Sequence, residues 1–189
     1  MRVHPSDESI RTAFDRVRAA PVFAESAALV AAGGRPVQML QAMAVRPEIL
    51  DAFAAVSAAI YPGGIVEREV KELIILEISR RNACQFCTAS HISMIRALGM
   101  SQAPLTLLEN LDALPTRQRL AVEYARAAAA DSNRIPEPFF DDLRSAFSEA
   151  EIVELTAMIG LISMLNIFNN CLENRYGGEY DRGSESPRP

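Results

Sequence analysis

The sequence predicts an all-α, single-domain helical bundle. Three observations carry this expectation. Apolar residues recur at i, i+3, i+4 spacing in one segment after another, the breaks between segments fall at proline and glycine, and little of the alternation that marks strands is present. At 189 residues with 49% hydrophobic side chains, the chain is long enough for one well-buried core, and no linker-like stretch divides it. The net charge of −5, without a cluster of lysines and arginines, argues against a nucleic-acid surface. The polar opening from Met1 to Glu8 lacks the basic-then-apolar order of a signal peptide, so a cytoplasmic location is expected.

The elements follow in order. Asp7 to Val17 has weak helical periodicity, Pro21 interrupts it, and Ala24 to Ala32 continues as helix up to Gly33-Gly34. Pro36 suits a first helical position, so Val37 to Val45 reads as a short helix ended by Arg46-Pro47. Pro47 starts the next, in which Ile49, Leu50, Phe53, Val56 and Ile60 form an amphipathic stripe stopped by Pro62-Gly63-Gly64. Glu72 to Ser79 is strongly apolar at helical spacing, and Arg80-Arg81-Asn82 breaks it before a second helix runs from Cys84 to Leu98. Gly99 ends that helix in a C′ role. Met100 to Leu114 holds a short helix, Arg117 to Ala130 a longer one, and Phe139, Phe140, Leu143 and Phe147 mark another. Ser148 with Glu151 forms a capping box for the last helix, which runs to about Asn174. Its middle, Leu155 to Phe168, is apolar nearly all round and therefore has to be buried on every side, in a core or between subunits. That middle is shorter than the roughly 20 residues a membrane span needs, so no membrane is expected.

The chemistry concentrates between Glu72 and His91, which hold two of the three cysteines and one of the two histidines. Asn82 suits the N-cap of the helix carrying Cys84 and Cys87, with Gln85 reaching back in a capping box. Both thiols then sit in the first turns, where the positive end of the helix dipole favours a thiolate below the free-cysteine pKa of about 8.5. Cys84 and Cys87 share a face at i, i+3, close enough for a disulfide that forms and breaks. His91 lies one turn beyond Cys87, within reach of its proton. The dipole by itself favours the more N-terminal Cys84 as the acidic thiol. Two cysteines as Cys-x-x-Cys, in a chain without secretory features, favour redox or metal chemistry over a structural disulfide framework. A zinc site would need Glu72 to complete Cys84, Cys87 and His91, and no metal or cofactor is expected. Cys171 reads as a packed small apolar residue, His4 as a terminal residue, and Met39, Met43, Met94, Met100, Met158 and Met164 as core filling. Asn166, Asn169 and Asn170 are read as caps or bridges to neighbours in an assembly, without a catalytic role.

Glu72, then Cys84-x-x-Cys87, then His91 four residues on, resembles the Glu…Cys-x-x-Cys-x-x-x-His signature of the alkylhydroperoxidase D branch of the carboxymuconolactone decarboxylase superfamily. The resemblance covers most of the chain from Pro36 to Tyr176. It divides the sequence into an N-terminal helical extension (1–35), a helical domain of that type (36–176) and a flexible tail (177–189). It implies an all-α bundle assembled as a homo-oligomer, trimer or hexamer, that reduces organic hydroperoxides and is recycled by a dithiol or lipoyl-type reductant. By position, Cys87 is then the peroxidatic thiol, Cys84 the resolving thiol, and Glu72 with His91 the proton relay. This chain has Phe86 where the best-known members place a further histidine, which removes one relay member. The decarboxylase branch lacks the Cys pair, so decarboxylation is disfavoured. Two other readings remain open on the same residues: a general thiol-disulfide oxidoreductase, and a non-catalytic helical oligomer that binds a metal or a partner.

Overall fold

A computed structural model describes residues 1–97, 99 and 104–179. Among these residues it is entirely helical, with ten α-helices and no strand. They are α1 (Asp7–Val17), α2 (Ala24–Ala31), α3 (Gln38–Met43), α4 (Pro47–Ile60), α5 (Arg68–Arg81), α6 (Gln85–Ala97), α7 (Pro104–Glu109), α8 (Thr116–Asp131), α9 (Glu137–Ala146) and α10 (Glu149–Cys171), with 3₁₀ turns at Pro21–Phe23 and Leu111–Ala113. Ser148 caps α10 in the expected box, its hydroxyl accepting the Glu151 N–H while Glu151 accepts the Ser148 N–H.

The bundle is built around α5. Every residue from Val70 to Ser79 is buried, because α6, α8 and α10 pack against it from different sides. Small residues on α8, Ala121 and Ala125, are fully covered and let that helix approach closely. On one side the main core gathers Ile74, Ile75 and Ile78 with Leu155, Met158 and Ile162 of α10, and reaches Ile10, Phe14 and Phe23 near the N-terminus. On the other, Leu73 and Leu76 meet Ile95, Leu108 and Val122 in a second cluster. Truncating a side chain such as Leu73 to alanine would cost about 2–5 kcal/mol.

A central helix with three buried charges needs partners for each. Lys71 Nζ faces Glu154 of α10 at 2.7 Å and donates to the Ile60 and Gly63 carbonyls at 2.9 and 2.5 Å. Glu154 in turn accepts the N–H groups of Ile65 and Val66. This network pins the loop between α4 and α5, and the loop carries Tyr61. Gly64, at φ +92°, lies so near Glu154 that a Cβ would collide with the carboxylate. Glu77 pairs with Arg126 of α8 and with Arg80 and Arg81 of its own helix.

The structure departs from the sequence expectations at several points. Asn82 closes α5 instead of opening α6, which starts at Gln85 itself. The reason is a Schellman turn: Ala83 N–H bonds the Arg80 carbonyl, Cys84 N–H bonds the Ser79 carbonyl, and Ala83 takes φ +50°. Within one chain α10 is covered only on its inner face, so burial on every side is left to the second expected alternative, between subunits; Val153, Met164 and Ile167 are more than half exposed, and Met164 is not core filling of this chain. Cys171 is exposed and not packed. Met100 lies outside the described residues, and the helix expected in 100–114 covers only Pro104–Glu109.

Candidate active site

α5 and α6 are joined by three residues and fold back on each other, which brings Glu72 of α5 beside His91 of α6. Glu72 is fully buried, and its Oε2 lies 2.6 Å from His91 Nδ1. Its Oε1 accepts the Tyr61 hydroxyl at 2.5 Å and Arg68 Nε at 3.2 Å. Burial opposes ionisation of Glu72. The facing His91 ring, with Tyr61 and Arg68, outweighs that and holds the carboxyl below its ordinary range. Burial first, and then the Glu72 charge, push the Tyr61 hydroxyl well above its ordinary value. Tyr61 therefore stays protonated as a donor. Its oxygen also lies 3.4 Å from His91 Nδ1 and 3.0 Å from Met94 Sδ, and the Arg68 guanidinium sits over its ring. Met94 is thus part of this polar cluster and not plain filling.

The two sulfurs are 2.9 Å apart, both free and both buried. Cys84 is the residue before the first turn of α6, and its Sγ accepts the Cys87 N–H at 3.4 Å. The Cys87 thiol, together with the backbone N–H groups of Cys87 and Phe86 and the Asn166 side chain, outweighs burial and lowers the Cys84 pKa to about 7. Cys87 moves the other way, because its proton is held toward Cys84 and because it is buried. At rest the thiolate character therefore lies on Cys84, as the helix dipole alone implied. Cys87 is the sulfur that opens onto a cavity of about 1330 Å³; Cys84 is not among the residues lining it. His91, Tyr61, Arg68, Ser90 and Phe86 line the same space.

The sequence-predicted residues therefore come together as two pairs. Glu72 binds His91, and Cys84 binds Cys87, while the ring of His91 makes no hydrogen bond to Cys87 among the described residues. The hydrogen bond that the Cys87 thiol makes is to Cys84, while Glu72 and Tyr61 engage Nδ1 of the His91 ring. The donor set for zinc is likewise divided, with no group of three metal-ligating side chains converging among the described residues.

Sequence reasoning missed Tyr61 and Arg68, and it gave the asparagines of α10 no part at the cysteines. Asn169 Nδ2 donates to Cys87 Sγ at 3.3 Å, and Asn174 Nδ2 fixes its orientation by donating to Asn169 Oδ1 at 3.0 Å. Asn166 accepts from Asn82 and donates to Ser79, and Asn170 donates to the Asn82 carbonyl. These amides tie α10 to the cysteine turn within one chain, where bridges between subunits were expected. Their spacing, 166, 169 and 170 on one face of an otherwise apolar helix, was the available signal. Arg68 was visible as the i−4 neighbour of Glu72.

Residues 47–131, just under half of the chain and including the whole Glu72–His91 cluster, match the carboxymuconolactone decarboxylase family. The uncharacterized protein YdfG of Bacillus subtilis (strain 168) is 25% identical over 114 residues, 58% of this chain and 78% of the relative. A solved uncharacterized peroxidase-related protein from Silicibacter sp. TM1040 superposes with a TM-score of 0.73 at 23% identity, covering 95% of this chain and 91% of that one. An Agrobacterium tumefaciens protein of unknown function, described as an antioxidant defence protein, AhpD, superposes at 0.61 with 26% identity, over 71% of this chain and 94% of that one. Residues 47–131 are thus similar to the carboxymuconolactone decarboxylase family, and the helical fold is that of the peroxidase-related and AhpD-like structures it superposes on.

Proposed function

We propose that this chain is a thiol-dependent peroxidase that reduces organic hydroperoxides through a Cys87–Cys84 dithiol/disulfide cycle. The observation that carries this reading is the hydrogen-bonded sulfur pair with Cys87 open to the cavity beside the Glu72, His91 and Tyr61 cluster. When a hydroperoxide enters, the Cys87 proton passes along the 2.9 Å contact to Cys84, and Asn169 supports the new Cys87 thiolate. The thiolate attacks the distal peroxide oxygen, the O–O bond breaks, and Cys87 becomes a sulfenic acid. The departing alkoxide takes a proton from the His91 ring, which Glu72 holds by its Nδ1, and leaves as an alcohol. Cys84 then attacks the sulfenic sulfur, water leaves, and a disulfide forms. A dithiol or lipoyl-type reductant restores both thiols by exchange and is itself oxidised to a disulfide.

The burial of both sulfurs favours a small peroxide over a protein disulfide as substrate, which sets the general oxidoreductase reading second. The deciding experiment follows consumption of an organic hydroperoxide with excess dithiol, comparing the native chain with Cys87→Ser. Turnover by the native chain and its loss in the variant is the expected result; full turnover in Cys87→Ser removes the proposal. Insulin reduction faster than peroxide reduction would move the assignment to the oxidoreductase.

We also infer that copies of the chain assemble through the outer face of α10. Val153, Ala157, Gly160, Met164 and Ile167 follow the alternating 4, 3 spacing of a helix–helix seam. No charged side chain interrupts that face between Val153 and Ile167, and a Cβ at Gly160 would meet no atom within 4 Å among the described residues, so a second helix has room to approach.

A further inference from the structure

The cavity is much larger than the peroxide chemistry requires. At about 1330 Å³ it exceeds the roughly 300–1,000 Å³ of ordinary small-ligand sites, and a small alkyl hydroperoxide at Cys87 would leave most of it unfilled. Its two parts differ in character. Away from the relay the walls are apolar, with Phe23, Met39, Phe53, Leu161 and Leu165 contributed by four separate elements. Along α6 the lining turns polar through Ser90, His91, Ser93 and Arg96.

The charges on the lining are unequal in their engagement. Arg68 is neutralised by Glu72 and also donates to Tyr61. Glu179 accepts the Gly177 N–H and so spends part of its hydrogen-bonding capacity on its own turn. Arg96 is exposed and has no ion pair among the described residues. It lies nine residues after Cys87 on one helix, about 13 Å along the axis and half a turn around it, so the two are joined only by the curve of the cavity that both line.

Resting on the peroxidase reading above, we propose that the substrate is a single-chain amphipathic carboxylate bearing a hydroperoxide within its chain. Its carboxylate sits at Arg96, its peroxide group at Cys87 beside His91, and its remaining chain among the apolar residues. A guanidinium is suited to hold the carboxylate by paired, charge-assisted hydrogen bonds, and the apolar walls take the tail by removing it from water. The distance between Arg96 and Cys87 then selects a peroxide remote from the headgroup.

The test separates binding from chemistry. Dodecanoate and dodecanol, which share a chain and differ in the headgroup, are titrated calorimetrically into the reduced protein below their aggregation concentrations. Dodecanoate should bind at least about tenfold more tightly. In Arg96→Gln that preference should vanish, in Arg96→Lys part of it should remain, and Glu179→Gln should strengthen it. Equal affinity for both ligands, no binding of either, or a preference for dodecanoate that survives Arg96→Gln would overturn the proposal. The binding readout involves no thiol chemistry. Turnover of a small neutral hydroperoxide without dodecanoate binding would thus refute this inference alone, and Arg96-dependent binding without any peroxide turnover would refute only the peroxidase reading.

Discussion

Cys84 and Cys87 differ by three positions, yet their surroundings drive their protons in opposite directions. The largest stabiliser of the Cys84 thiolate is the Cys87 thiol itself, so Cys87→Ala should raise the Cys84 pKa from about 7 back toward the free-cysteine value of about 8.5. Thiolate absorbance followed against pH reads this directly. The sign for stability is the same: a depressed thiol pKa contributes stability that is complete above the unfolded value and is lost as pH falls through about 7. Asn169 donates a side-chain amide hydrogen bond to Cys87 Sγ at 3.3 Å. Asn169→Ala should slow sulfenic acid formation at Cys87 by about tenfold, the cost of one hydrogen bond to a charged acceptor. Peroxide oxidation rates of the native and variant dithiols measure it, and an unchanged rate would remove Asn169 from the chemistry. Ala83 shows a different residue-scale effect. It occupies a left-handed position at φ +50° in the turn that presents the cysteines, where glycine carries no Cβ penalty. Ala83→Gly should therefore stabilise the fold by about 0.5–1 kcal/mol in denaturant titration.

Among elements, the loop between α4 and α5 depends on a buried ion pair more than on its own residues. Glu154 satisfies Lys71 and two backbone N–H groups at once. Removing it by Glu154→Ala leaves a buried ammonium and two unpaired donors, and should cost about 3–5 kcal/mol of stability in chemical denaturation. Tyr61 sits on that loop, so surviving folded protein should also lose peroxide activity. Lys71 and Glu154 read in the sequence only as charges inside apolar runs. Their pairing across 83 positions is a property of how α10 lies on α5.

For the whole molecule, α10 is the element whose two faces have different fates. It is long and apolar enough to cross a membrane by length and composition, but its inner face carries the asparagines and Glu154 that hold α5 and α6 in place. The outer face should bury itself in an assembly. Sedimentation of the native chain should give species larger than a monomer, and Met164→Glu should shift them toward the monomer, because a charge in a helix seam is left without water. An unshifted native monomer would remove the seam.

The helices and the cysteine pair were legible from the sequence because local rules produce them. Apolar spacing marked the helices, the Ser148–Glu151 box marked the start of α10, and Cys-x-x-Cys with His91 marked the site. Three things required the tertiary structure. Asn82 could cap either neighbouring helix, and the Schellman bonds across Arg80 and Ser79 settle it at the end of α5. Helical spacing placed His91 beside Cys87, but it could not show that Glu72 and Tyr61, arriving from α5 and the preceding loop, would occupy its Nδ1. The division of labour between the sulfurs is the third. Both stand at one helix start, where the dipole already favoured Cys84 as the acidic thiol and the Cys87 thiol adds to that; only the packing around α6 makes Cys87 the residue that lines the cavity. Spacing along a helix fixes which side chains share a face; what meets that face depends on helices distant in the chain.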